Sequence, residues 1–314
     1  MGFFGQIVAF FVDPLKEIWE FPLFFFEVLV GGLLTGVLYS LIALGFVLIF
    51  KASGVFNFAQ GAMVLFAALC FIALLDRGLP AWAAFLGATA VMGAMAFAIE
   101  RAVLRPLVNQ APIILFMATI GLTFVIEGVA QIIWRSDVRR LDIGIPRDPV
   151  EIAGIQINKF DIIAAVTAIV LVSVLGFFFQ YTRVGRALRA VADDNQAALS
   201  VGIPLKEIWV YVWSVAGFVA LVTGIMWGSK LGVQFSLVLI ALKALPVLIL
   251  GGFTSIPGAI VGGLIIGAGE KVAEVYWGQN IGGAVEDWFA YVVALLFLMF
   301  RPQGLFGERI IERV

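Results

Sequence analysis

The chain has 314 residues, of which 62% are hydrophobic and 13% charged, with a mean hydropathy of +1.09 and a formal net charge of −1. That balance excludes an ordinary water-soluble globule and points to a polytopic membrane protein. No nucleic-acid partner is expected, whereas membrane lipid is.

Residues 1–12 are apolar and read as an interfacial helix that is stopped by Asp13-Pro14 and followed by Lys16 and Glu17. They are too short to span the hydrocarbon, and no basic leader or small-residue cleavage site accompanies them, so residues 1–26 read as an interfacial N-terminal segment. Beyond it, apolar runs near 28–50, 55–75, 80–103, 112–134, 160–181, 207–230, 235–252, 258–277 and 283–300 approach or exceed the roughly 20 residues that a spanning helix needs. Runs of this length must be helical, because each backbone amide has to be satisfied within its own segment, and the period-2 alternation of barrel strands is absent. The predicted fold class is all-α, with about nine transmembrane helices (eight to ten) in one domain over 27–307 and a short tail, 308–314. The single cysteine, Cys70, excludes an intrachain disulfide and a cysteine metal site.

Basic residues in the connections set the orientation. Arg101 and Arg105 follow the third run, Arg183, Arg186, Arg189 and Lys206 the fifth, and Arg301, Arg309 and Arg313 the last. Alternate crossings put all of these on one face, taken as the cytoplasm, with the N-terminus out and the C-terminus in. The connection over about 135–160, taken with Asp161 just beyond it, mixes five basic with five acidic residues and carries no net bias.

The connection over 183–206 is unlike the others. Gly185 to Pro204, GRALRAVADDNQAALSVGIP, is a long polar, helix-forming segment in an oily chain, with apolar Leu188, Val191, Ala192 and Leu199 and a helix-stopping Gly202-Ile203-Pro204. It reads either as a solvated connector or as a docking helix for a water-soluble partner. Two other places interrupt the apolar pattern. Asn57 and Gln60 follow Gly54 at the start of a span, and Ser255 lies between Gly252 and Gly258 at the junction of two spans. Such breaks free backbone groups for a polar solute, although Asn and Ser also bond neighbouring helices. The spacings Gly54-x-x-Asn57-x-x-x-Gly61 and Gly252-x-x-Ser255-x-x-Gly258 faintly echo each other, as duplicated halves would. Gly262, Gly263 and Gly267 read as helix-packing positions.

The candidates for membrane-embedded charges are Glu127, Lys243, Glu270, Lys271 and Glu274. Glu127 and the group from Glu270 to Glu274 fall toward the outer ends, where snorkelling suffices, so Lys243 alone is expected to lie deep. The chain holds no histidine, which removes the usual proton relay and a histidine metal site. It contains no G-x-x-x-x-G-K-[ST] sequence either, so it cannot itself cradle nucleotide phosphates.

Four ordered segments carry a family resemblance. Gln196-Ala197-Ala198 followed by Gly202 resembles the E-A-A-x-x-x-G loop of ABC importer permeases, with Gln for Glu. Val55-Phe56-Asn57-Phe58-Ala59-Gln60-Gly61 resembles the N-F-A-H-G segment of branched-chain amino-acid permeases, with Gln60 where histidine is common. Gly251-Gly252-Phe253-Thr254-Ser255-Ile256-Pro257-Gly258-Ala259 is similar to their G-G-x-x-S-x-x-G-A segment, and Arg301-Pro302-x-Gly304-Leu305 to their terminal motif. The chain is therefore similar to LivH-like permease subunits over about residues 30–307.

The resemblance implies a non-enzymatic subunit of a bacterial inner-membrane importer, without a cofactor of its own. Its implied partners are a second permease, usually a paralogue, two ABC ATPase subunits that bind the ATP, and a periplasmic or extracellular binding protein. A branched-chain amino acid is the family's usual solute, while urea, short amides and aromatic acids stay open. The ATPase contact is then expected at Gly185, Arg186, Arg189, Asp193, Asp194, Gln196, Ala197, Ala198 and Gly202, and the solute pathway at Asn57, Gln60 and Ser255, with no metal site. The alternative is a secondary carrier or channel for a small amphipathic solute, working alone through Lys243 and Glu127. A membrane enzyme finds no support, since no paired carboxylates, activated nucleophile or metal cluster stands at helical spacing.

Overall fold

A computed structural model describes residues 3–107, 110–193, 198 and 200–307. Among these residues the α-helices are α1 (Phe3–Glu20), α2 (Pro22–Ser53), α3 (Gln60–Asp76), α4 (Ala81–Ile99, prolonged by a π turn and a 3-10 turn to Leu107), α5 (Pro112–Trp134), α6 (Lys159–Tyr181), α7 (Arg183–Asp193), α8 (Leu205–Leu231), α9 (Leu237–Gly251), α10 (Ile256–Ile281) and α11 (Val285–Phe300). Every apolar run of the sequence coincides with one of them. Among the described residues, six helices, falling in α2, α4, α5, α6, α8 and α10, are long and apolar enough to cross a membrane, while α3 and α9 are shorter apolar helices.

Two boundaries differ from expectation. Asp13-Pro14 does not end the N-terminal helix, which continues to Glu20. The break falls instead at Phe21, where Pro22 opens α2 with a fixed φ and no amide to leave unpaired. The second run does not start as helix at 55, because residues 54–59 run irregularly before α3 begins at Gln60.

The core is built on α2. Leu38 to Ile49 are buried without interruption, so this stretch is enclosed on all sides, as expected for an apolar helix with no polar face. It packs most extensively on α10, with α8, α6 and α9 around it. The α2/α10 contact depends on glycine. A methyl group on Gly36 would meet the Gly263 carbonyl, one on Gly267 would meet the Gly36 backbone, and one on Gly32 would lie 2.8 Å from the Ala268 Cα. Lipid tails offer no hydrophobic drive for helix association, so close backbone approach and van der Waals contact supply it. Helices α5, α6 and α11 instead turn Phe124, Ile132, Val174, Phe177, Leu295 and Met299 outward, exposed, which only a bilayer or another apolar partner tolerates.

The 135–158 connection, expected as plain loop, carries a hairpin: β1 (Pro149–Ile152) pairs antiparallel with β2 (Ile155–Asn158). Ala153 and Gly154, both at positive φ, make its two-residue turn. The connection is tied down by Arg139 to Asp76 (3.0 Å), by Arg147 to the Ser229 carbonyl (2.6 Å) and by the Gln156 amide to Glu27 (3.1 Å). These ties mark the end of the bundle remote from α7.

Candidate functional site: the α7 corner and the two broken segments

Helix α7 lies across the end of the bundle because the chain turns sharply after α6. The Thr182 hydroxyl donates back to the Phe178 carbonyl (2.6 Å) and accepts from the Gly185 amide (3.0 Å), so one side chain ends α6 and caps α7. Gly185 is required by contact: a methyl group there would meet the Phe179 carbonyl. Leu188 and Val191 are buried against the bundle, while Arg183 and Arg186 are exposed. Arg186 and Arg189 donate to the Tyr181 and Gln180 carbonyls, each at 3.2 Å, and thereby satisfy the carbonyl end of α6. The expected contact arginines thus also hold the corner together. Farther on, Ala198 is buried, Gly202 adopts φ +84°, and the Ile203 amide donates to the Ala198 carbonyl (3.0 Å). This is the closing geometry of a helix ended by glycine. Asp194, Gln196 and Ala197 lie outside the described residues, as does the side chain of Asp193.

The broken segments meet near the same end. After Gly54, at φ +68°, the chain runs through Phe56, whose ring stacks on Phe46 (4.6 Å) and meets Phe253 edge-on (6.2 Å). The Thr119 hydroxyl of α5 accepts from the Phe58 amide (3.3 Å) and has both the Phe116 (2.8 Å) and Phe56 (3.2 Å) carbonyls within donating reach, which holds the irregular backbone against α5. Asn57 is fully buried. Its Oδ1 accepts from the Ala59 amide (3.1 Å) and its Nδ2 donates to the Met63 sulfur (3.6 Å). Gln60 is equally buried, wedged between Gly45 of α2 and Ala216 of α8. Its Nε2 reaches the Ala216 carbonyl at 3.5 Å, and its Oε1 has no partner among the described residues.

Ser255 plays the part in α10 that Asn57 plays before α3. Its Oγ accepts from the Gly258 amide (3.0 Å) just after Gly252 at φ +107°. The faint echo in the sequence is therefore also an echo of geometry: a left-handed or glycine-only residue, then a polar side chain turned back onto the start of the next helix. Gly251 and Gly258 pack backbone on backbone, and the Leu305 and Phe306 amides donate to the Leu250 (2.8 Å) and Gly251 (3.0 Å) carbonyls. The third and fourth sequence motifs are thus one packed unit.

The embedded charges are arranged otherwise than expected. Glu270, expected to snorkel, is 3% exposed. Lys243 is not isolated at depth: it reaches the start of α11, donating to the Glu286 carbonyl (3.1 Å) and pairing with Asp287 (3.4 Å). Sequence reasoning misplaced both because a helix's axial position in the bundle is set by its neighbours, not by its own ends. Thr119, Gly45 and Ala216 were missed altogether, since small residues in apolar runs carry no signal until the partner strand or helix is known.

The family model for the permease component of branched-chain amino-acid transport systems matches residues 28–300. Among curated proteins, the high-affinity branched-chain amino acid transport system permease protein BraD of Pseudomonas aeruginosa is 29% identical over 92% of this chain and 98% of its own length. The permease protein LivH of Salmonella typhimurium is 27% identical over 93% of this chain and 98% of its own. A solved structure, PsaBC from Streptococcus pneumoniae in complex with Fab, aligns over 92% of this chain and 94% of that one at 15% identity with a TM-score of 0.45, too loose a match to support anything further. With a family match over nearly the whole apolar region, on helices built to cross a bilayer, this multi-pass membrane protein belongs to the family of branched-chain amino-acid transport system permease components.

Proposed function

We propose that this chain is a permease subunit of an ATP-driven importer that takes a branched-chain amino acid from a binding protein and releases it in the cytoplasm. The supporting observation is the α7 corner in a chain of this family: a water-facing helix locked to α6 by Thr182, Gly185, Arg186 and Arg189, shaped to transmit force from outside the membrane into the bundle. The ATPases clamp on ATP and push this helix and its counterpart on a second permease, and the bundles rock between inward and outward access. The second permease is a paralogue, and the chain itself is a transport subunit rather than an enzyme, binding no ATP or other cofactor. The N-terminus lies outside and α7 in the cytoplasm of the bacterial inner membrane.

Asn57, Gln60 and Ser255 line the solute pathway once the bundle opens. The breaks before α3 and α10 are the places where that opening costs fewest helix hydrogen bonds. Asp193, Asp194, Gln196, Ala197, Ala198 and Gly202 complete the ATPase contact together with Gly185, Arg186 and Arg189.

The deciding experiment reconstitutes this chain with its neighbouring permease and ATPases and measures ATP hydrolysis with empty or leucine-loaded binding protein. Stimulation by the loaded form is expected. An intact complex indifferent to any loaded binding protein, or solute movement by this chain alone on an ion gradient, would sink the reading.

A further inference from the structure

A cavity of about 320 Å³ opens between α2, α8, α9, α10 and α11 at the end of the bundle remote from α7. Its size is at the lower end of the roughly 300–1,000 Å³ typical of small-molecule sites. One wall is aromatic, with Tyr39 and Trp227 stacked at 5.5 Å, and Ile240 also lines it. Glu270 enters from α10. It is 3% exposed, its Oε1 has no hydrogen-bond partner among the described residues, and the Tyr39 hydroxyl adjoins its carboxyl group. A buried carboxyl oxygen without a donor is costly enough to need a reason.

Lys243 and Lys271 line the same cavity. Two of the three donors on the Lys243 ammonium are used, by the Glu286 carbonyl and by Asp287, whose side chain is 71% exposed. The third has no partner among the described residues. Lys230, the remaining cation of the lining, is already held by Asp161 at 2.8 Å. The cavity therefore combines an acceptor short of a donor, a cation with capacity to spare and an apolar aromatic wall. It lies on the same α2/α8 seam that Gln60 closes: Tyr39 is about 9 Å along the α2 axis from Gly45, against which the Gln60 amide packs.

We propose that this cavity receives the zwitterionic head of a free α-amino acid, its ammonium on Glu270 and its carboxylate on Lys243, with the side chain against Tyr39 and Trp227. The inference rests on the importer reading and adds to it a site within the permease itself, one stage before the Gln60 constriction. Holding both charges separates amino acids from neutral amides and from simple amines or acids, because a missing ammonium leaves the buried Glu270 oxygen without a donor and a missing carboxylate leaves the remaining Lys243 donor unused.

The test uses the whole complex in nanodiscs with photo-leucine, a diazirine amino acid, delivered on the binding protein during ATP turnover and irradiated. Adducts are expected within residues 35–39, 227–243 or 267–271. They should fall at least tenfold in Glu270→Gln and stay unchanged in Glu127→Gln. Excess leucine should suppress them, whereas isoamylamine and isovalerate, each lacking one charge, should not. Assembly of each variant is read by gel filtration. If Glu270→Gln does not assemble, the competition series decides by itself when repeated on the unaltered complex with free photo-leucine and no binding protein, so that the competitors act at the permease alone. Adducts confined to other regions, equal labelling in an assembled Glu270→Gln complex, or suppression by the amine or acid alone would overturn the site. A complex stimulated by leucine-loaded binding protein but unlabelled in the cavity loses this inference and keeps the importer reading; one not stimulated loses the importer reading.

Discussion

A methyl group added at Gly45 would occupy the space now filled by the Gln60 amide nitrogen, so Gly45→Ala has to push that side chain out of the α2/α8 seam. Gln60→Leu keeps much of the volume but removes an amide whose oxygen is unpartnered and whose nitrogen makes only a long contact. A buried, poorly satisfied amide costs about 1–3 kcal/mol, so Gln60→Leu is expected to raise the melting temperature of the purified complex. Both variants are expected to lower solute uptake by about tenfold, the effect of ~1.4 kcal/mol on a barrier, if the amide lines the pathway. Unchanged uptake in both would assign Gln60 to packing alone. Gly263→Val is expected to be worse than either: its side chain would strike Ser40 and the Gly36 carbonyl. Overpacking of this kind costs about 1–3 kcal/mol or more, and loss of the assembled complex on gel filtration is the measurement.

At the scale of elements, the α7 corner and the C-terminal segment behave as joints. Arg189 holds the Gln180 carbonyl, so reversing its charge in Arg189→Glu with Asp194→Lys disturbs both the corner and the surface it presents. ATP hydrolysis is expected to continue while uptake falls; coupled uptake left intact would remove α7 from the ATPase contact. Ending the chain after Phe300 strips the Leu305 and Phe306 amides from the Leu250 and Gly251 carbonyls. Two lost backbone hydrogen bonds at about 1 kcal/mol each, beside a glycine-only backbone, are expected to lower the yield of folded complex. That terminal motif and the Gly251–Ala259 motif each looked like a separate signature in the sequence. Only the packed structure makes them one unit, because nothing in either segment names the other as its partner.

At the scale of the molecule, orientation is open to a direct labelling test. Cys70 is buried, so added cysteines report against a quiet background. Ser136→Cys is expected to react with an impermeant maleimide from outside intact cells, and Val201→Cys, at a position 79% exposed, only after permeabilisation. The reverse pattern would invert the topology and remove α7 from the cytoplasm.

Composition and run length were enough for the all-α membrane class and for the position of nearly every helix, because a bilayer leaves an apolar backbone no other way to satisfy its amides. The short glycine and asparagine motifs likewise marked the two breaks, since positive φ and helix entry are local properties of a few residues. What only the tertiary structure decided is where those residues stand relative to other helices: that Pro14 is carried inside α1, that Glu270 is shut in beside Tyr39 while Lys243 reaches α11, and that Gln60 fills a gap left by Gly45. Depth, partnership and cavity are set by axial offsets and crossings between helices far apart in the chain. A stretch of sequence contains its own hydrophobicity and its own caps, but not the shape of the surface it will meet.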